Sequence, residues 1–252
     1  MAVQQFSGAT TEFATLTRSE FIQSREDVIE MNRLRVLLGD ESAAKALEGH
    51  FTMERLQPRL RALDALNQYG ELLQTLLTTS SSADLQSSAD HFVSSLNQVQ
   101  GIHISDADGK VFSRAVAFGG SFLVEYRRAK AMKRAVEFAH PYVVKTIDLV
   151  ENDFDPDNDL WNAGYRHTQL DLEGAILDVP PLATNDLAGA QVVRTAKLAV
   201  QQNKARFAAV SQQILGAAKE LSRAEGDLRM AMANGDVSVV DIQAFRGKVD
   251  EL

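Results

Sequence analysis

The chain has 252 residues, 45% of them hydrophobic and 24% charged, and its 26 Lys and Arg against 34 Asp and Glu give a net charge of -8. That length supports a buried core, and the acidic balance argues against nucleic acid as the main partner. With no Cys, disulfides, thiolate metal sites and cysteine nucleophiles are excluded, and 15 Gly with 5 Pro are too few for a turn-rich all-β protein.

The start, Ala2 to Thr11, is polar, with neither a basic n-region nor an apolar stretch, so no targeting segment is visible there. The composition fits a cytoplasmic protein, or a periplasmic one whose targeting segment has been removed. The longest uncharged apolar run, Ala115 to Val124, is about half of what a bilayer-spanning helix needs.

Apolar residues recur at helical spacing nearly everywhere. Phe13, Leu16, Phe21, Val28, Met31, Leu34 and Leu38 predict a first helix, capped by Thr10 or Thr11 and stopped at Gly39-Asp40. A second starts at Thr52, with Phe51 as a staple, and carries Leu56, Leu60, Leu63, Leu66, Leu73 and Leu77 with Gly70 on the same face. Residues 78–95 include nine Ser or Thr, a linker-like composition. Yet Leu85, Ala89, Phe92, Leu96 and Val99 step by four and three, which predicts a turn at 78–82, a third helix, and an antiparallel hairpin with the second. This seam can be satisfied within one chain or between two copies, which leaves a homo-oligomer open.

After a break at 101–109, with Ser105, Asp106 or Asp108 as cap, a fourth helix places Phe112, Ala115, Gly119, Phe122, Tyr126 and Ala129 on one face. Pro141 is expected to stop or restart the helix just after His140, with a fifth running from Tyr142 to Val150. An acidic turn at 152–159 precedes a helix from about Asp159 to Ile176, and Pro180-Pro181 mark a loop over 178–186. Residues 187–233 lack Pro and read as one long helix that Gly189, Gly216 and Gly226 can bend. Asn234-Gly235 ends it, and Ser238 with Asp241 forms a capping-box pattern for a short final helix. The fold expected is all-α, an elongated bundle of six to eight long antiparallel helices in one domain over 1–252. The alternative divides it into parts at 1–100 and 109–252.

Chemistry-bearing patterns are sparse. Glu137 and His140 show one Glu-x-x-His spacing, whereas a di-iron bundle needs two, so His140 reads as a helix-end histidine and a metal-dependent enzyme ranks third among the functions. Asp153, Asp155, Asp157 and Asp159 alternate, but Leu160 and Arg166 stand where a calcium loop starting at Asp155 requires Gly and Glu. An acidic helix-capping turn fits better, with weak calcium binding as the alternative. Trp161, Tyr165, Arg166 and His167 gather on one helix, the Trp reading as a core or groove anchor. No phosphate-binding loop, dinucleotide fingerprint or nucleophile elbow occurs. Catalytic residues, cofactors and metals are therefore expected to be none.

Arg127, Arg128, Lys130, Lys133 and Arg134 place five positive charges in eight residues of an acidic chain. They form the candidate contact patch for another protein, against a simpler reading in which antiparallel helices bring them near Asp148, Glu151, Asp153 and Asp155. Phe112, Phe118, Phe122 and Leu123 beside this cluster are candidate membrane-interface residues. The first expectation for function is thus a non-enzymatic helical interaction or scaffold protein, with cell-envelope association in view. The second is a soluble protein that binds or perturbs membranes through residues 112–134.

Overall fold

The structure, a computed structural model, describes residues 2–120, 125–158, 161–179, 187–234 and 243–252, with backbone alone at 119, 120 and 125–127. The described residues are helical with no strand: α1 (Ala2–Leu37), α2 (Glu41–Ala44), α3 (Met53–Thr78), α4 (Ser82–Gln98), α5 (Asp106–Gly120), α6 (Glu125–Phe154), α7 (Trp161–Leu177), α8 (Leu187–Asn234) and α9 (Gln243–Asp250). The all-α class, the long C-terminal helix and the short final one are as expected from periodicity. The capping pattern at Ser238 and Asp241 lies outside the described residues.

Two compact units divide the chain. The first holds residues 1–18, 58–151 and 216–252, the second 19–57 and 152–215, and α1, α3, α6 and α8 contribute to both. The break at 101–109 lies inside the first unit.

Helix α1 begins at Ala2, so Thr10 and Thr11 are interior residues and not caps. The reason is a buried face that starts earlier, at Val3, Phe6 and Ser7, and continues at seven-residue intervals. Val3, Thr10, Thr17, Ser24 and Met31 are all buried seven apart, as are Ser7, Ala14, Phe21 and Val28. Small polar side chains thus occupy core positions where Leu16, only half-buried, was expected. The helix ends as its sequence dictates, with Gly39 at φ 99°. Asp40 then caps α2, accepting from the Ser42 backbone N–H at 3.0 Å.

In the first unit, α3 and α4 form the expected hairpin. Ser81 caps α4, Leu85, Ala89, Phe92 and Leu96 are buried, Tyr69 meets Phe92 at 5.8 Å, and Arg61 reaches the Gln98 carbonyl. Gly70 faces Ser7 and Thr11 of α1 so closely that a Cβ there would stand 2.4 Å from the Thr11 hydroxyl oxygen. Ser105 caps α5 through the Asp108 N–H at 3.1 Å, while the Asn97 side chain holds both backbone groups of Ile104. On α5 the buried residues among those described are Gly109, Phe112, Ser113, Val116 and Ala117, which rotates the inner face away from the expected Ala115. Phe245 of α9 closes on Phe6 and Phe13.

Pro141 does not end a helix, because α6 runs through it. Its interior position forfeits one hydrogen bond. The buried stripe Val136, Ala139, Val143, Ile147 and Val150 nevertheless continues in register on both sides, and that packing keeps the helix in one piece.

In the second unit α7 starts at Trp161, which is buried against Phe21 at 5.0 Å and Phe51 at 4.2 Å. Trp161 is therefore a core anchor. Tyr165 stacks on Phe207 at 3.8 Å and donates to Asp27 at 2.8 Å. Helix α8 passes through Gly189, Gly216 and Gly226 without division.

Candidate functional site

Polar side chains at core positions mark the places where this fold departs from a plain bundle. On α8 the rows Val200, Phe207, Ile214, Leu221, Leu228 and Ser211, Ala218, Glu225, Met232 are buried at seven-residue intervals. Ser211 and Glu225 are the polar members of the second row. On α1, Glu20 and Asp27 follow Phe6 and Phe13 in another such row. A charge interrupting a seven-residue row is the sequence signal for these positions, one that a pattern of apolar residues alone does not carry.

In the first unit Glu225 is fully buried and accepts from the Tyr69 hydroxyl at 3.1 Å. His140 Nδ1 stands 3.6 Å from Glu225 Oε1, just beyond hydrogen-bond reach, and both atoms are without a hydrogen-bond partner among the described residues. The Arg229 guanidinium lies 3.2 Å from His140 Nε2. A guanidinium only donates, so Nε2 accepts and the remaining proton sits on Nδ1, facing Glu225. Burial pushes the Glu225 carboxyl up to about 8, against smaller lowering effects of the Tyr69 hydrogen bond and Arg229. Burial, then Arg229, lowers His140 below its ordinary value. The cluster is therefore a protonated carboxylic acid beside a neutral imidazole at neutral pH. Burial, then Glu225, raises the Tyr69 hydroxyl.

His140 is thus mid-helix and engaged with α8, which corrects its reading as a helix-end residue. Glu137 pairs with Lys133 at 3.8 Å, so the Glu-x-x-His spacing converges on no common point. Among the described residues no group of three or more His, Asp or Glu is placed to hold a metal ion. In the acidic turn, Asp155 accepts from the Asp157 N–H at 2.9 Å and from the Asn158 amide, the bonding of a capped turn, while Asp159 lies outside the described residues.

The basic segment is divided by its surroundings. Arg128 donates to the Leu77 and Thr79 carbonyls at 3.4 and 3.3 Å, capping the C-terminus of α3. Lys133 is taken by Glu137, Lys130 and Arg134 are exposed, and the Arg127 side chain lies outside the description. The expected neutralisation by Asp148 and Glu151 is overturned, because one continuous helix separates Lys130 from Asp148 by about 27 Å at 1.5 Å per residue. Of the candidate interfacial residues, Phe112 is 6% exposed and stacks on Phe138 at 4.0 Å, so the core accounts for it. Phe118 is 67% exposed, and Phe122 and Leu123 lie outside the described residues. Val111, seven residues before Phe118 and on the same face, is 69% exposed, with Lys110 and Arg114 exposed beside it. No helix among the described residues is long and apolar enough to cross a membrane.

The second unit contains a cavity of about 330 Å³ between the end of α6, α7 and α8. Phe154, Phe207 and Leu215 give it apolar walls, and Arg166 and Lys204 stand at its rim. Gln169 and Ser211 line it, 5% and 3% exposed, and Gln169 Nε2 and Ser211 Oγ are buried without a hydrogen-bond partner among the described residues. Leaving such groups unpaired costs about 1–3 kcal/mol each. A broader depression of about 500 Å³ in the first unit, at Gly8, Thr11 and Thr75, lacks this feature: its Ser7 hydroxyl lies 3.0 Å from both the Gln4 carbonyl and Gln74.

Beside the cavity, Arg206 bridges Glu20 at 2.6 Å and Asp27 at 2.5 Å, carboxylates only 9% and 11% exposed. This network ties α8 to α1 within the second unit; burial lowers the Arg206 guanidinium, but the hydrogen bonds and charges of Glu20 and Asp27 together outweigh it and raise it above its already high range. The chain matches no known protein family, no curated protein and no solved structure to which it was compared.

Proposed function

We propose that the chain acts without catalysing a reaction, as a helical interaction protein whose first unit meets an acidic partner protein by surface contact. The observation that supports this is the outer face of α5, where Val111 and Phe118 are exposed in line and Lys110 and Arg114 lie between and beside them. Large apolar side chains flanked by cations are the composition of a contact surface, since an apolar centre supplies affinity and rim charges select the partner. Lys130 and Arg134 on α6 are further exposed cations of the same unit, whereas Arg128 and Lys133 are engaged within the fold.

A photo-crosslinking residue placed at Val111 is expected to yield a discrete adduct in cells, and the same residue at Leu198 to yield none. The charge reversals Lys130→Glu and Arg134→Glu together should weaken that adduct in a variant that still folds. An adduct equally strong at Leu198, or indifferent to charge reversal, would sink the assignment. The exposed Phe118 beside Arg114 also favours a second reading, contact with an anionic membrane surface. Co-sedimentation with anionic vesicles that survives high salt and is lost in Phe118→Ser would move the function to the membrane. No sedimentation under any condition would remove that reading.

A further inference from the structure

We propose that the cavity of the second unit is a binding site for a small amphipathic carboxylate, a role independent of the contact surface on the first unit. Three features of the cavity specify that chemistry. Its walls are apolar and fixed: Phe207 is held face to face by Tyr165 at 3.8 Å and lies 6.4 Å from Phe154, so a slot of about 330 Å³ is formed before anything enters. That volume suits a small organic molecule with an apolar body.

The second feature is polar and internal. Gln169 on α7 and Ser211 on α8 both line the slot, both are more than nine-tenths buried, and each carries an atom with no hydrogen-bond partner among the described residues. A core built only for stability places apolar side chains at such positions. A hydroxyl that rotates and an amide that presents either end are suited to a polar group on the ligand body.

The third feature gives the charge. Arg166 stands at the mouth, one turn before Gln169, and spends an N–H on the Pro156 carbonyl at 2.6 Å, which fixes the guanidinium in place. Among the described residues no carboxylate lies within ion-pair distance of it, whereas Lys204 on the same rim is paired at 3.8 Å with Glu173, the one carboxylate of the lining. The cation at the mouth without an ion pair among the described residues is therefore a positioned arginine, the side chain best matched to a carboxylate.

The test uses the full chain and the fluorescent anion 1-anilinonaphthalene-8-sulfonate as reporter, displaced by decanoate or by its uncharged counterpart decanol. Saturable reporter binding is expected, with decanoate displacing it at a concentration at least tenfold below that of decanol. Arg166→Gln, an exposed change, should weaken decanoate about tenfold and leave decanol unchanged. Ala208→Trp, at the exposed part of the lining, should block the slot and abolish displacement without touching the core. The proposal is overturned if the wild type shows no saturable binding, if decanol matches decanoate, or if both variants bind as the wild type does.

Discussion

Replacing Glu225 by Gln should make the chain more stable, and the gain should depend on pH in a way that identifies the cause. Gln keeps the shape of a protonated Glu and can still accept from the Tyr69 hydroxyl. The folded chain holds the Glu225 proton up to about 8, while an unfolded chain releases it near the ordinary 4.5. Between those values the folded state binds more protons, so wild-type stability falls as pH rises through that window. At 1.36 kcal/mol per pH unit the loss reaches about 5 kcal/mol above pH 8, a large fraction of the 5–15 kcal/mol that holds a typical domain. The charged and titratable groups facing Glu225 are Tyr69 from α3, His140 from α6 and Arg229 from α8. His140, lowered below its ordinary 6.5, contributes the opposite trend, a loss of stability as pH falls below that value. It is present in both chains and cancels in their difference. Urea unfolding followed by circular dichroism should therefore show Glu225→Gln within about 1 kcal/mol of wild type near pH 5, and several kcal/mol more stable at about pH 8.5. A difference that stays constant over that range, or that shrinks with rising pH, would refute the reasoning.

Arg206→Met should destabilise the second unit by about 3 kcal/mol in the same assay, because Glu20 and Asp27 would be left as nearly buried, unpaired carboxylates; a loss under 0.5 kcal/mol would show that they find other partners. Gly70→Ala should cost about 1–3 kcal/mol, since its Cβ would lie 2.4 Å from Thr11 Oγ1 and 2.9 Å from the Ser7 carbonyl oxygen, and a thermal midpoint equal to wild type would contradict that close approach. Pro141→Ala, at an exposed site inside α6, should raise stability by about 1–3 kcal/mol through the restored backbone hydrogen bond; a fall in midpoint would mean that α6 depends on the proline.

Much of the helical layout was legible because large apolar side chains announce their own period. Leu85, Ala89, Phe92 and Leu96 gave α4 despite a Ser-rich composition, and Gly39 and Ser105 gave their boundaries. Where small or polar residues share the core, that reading slipped. Ser7 and Thr10 interrupt the apolar period at the start of α1, so a period counted from Phe13 with Thr10 or Thr11 as cap starts the helix nine or ten residues late. Pro141 misled in the other direction, because the tertiary packing of Val136 to Val150 outweighs one missing hydrogen bond. The candidate sites were less legible. His140 and Arg166 stand out by residue type, but their partners Glu225 and Pro156 lie 85 and 10 positions away in sequence, and Gln169 and Ser211 have no meaning until α7 and α8 face each other.

The contact of Phe245 with Phe6 and Phe13 has a consequence for synthesis. At a translation speed of roughly 5–20 residues per second, the aromatic face of the first helix waits on the order of 10–50 s for the helix that covers it. Throughout that interval the nascent chain displays Phe6 and Phe13 without their last cover, so chaperone dependence should concentrate at its first helix. A chain terminated before Gln243 would carry that exposure permanently and be prone to aggregate.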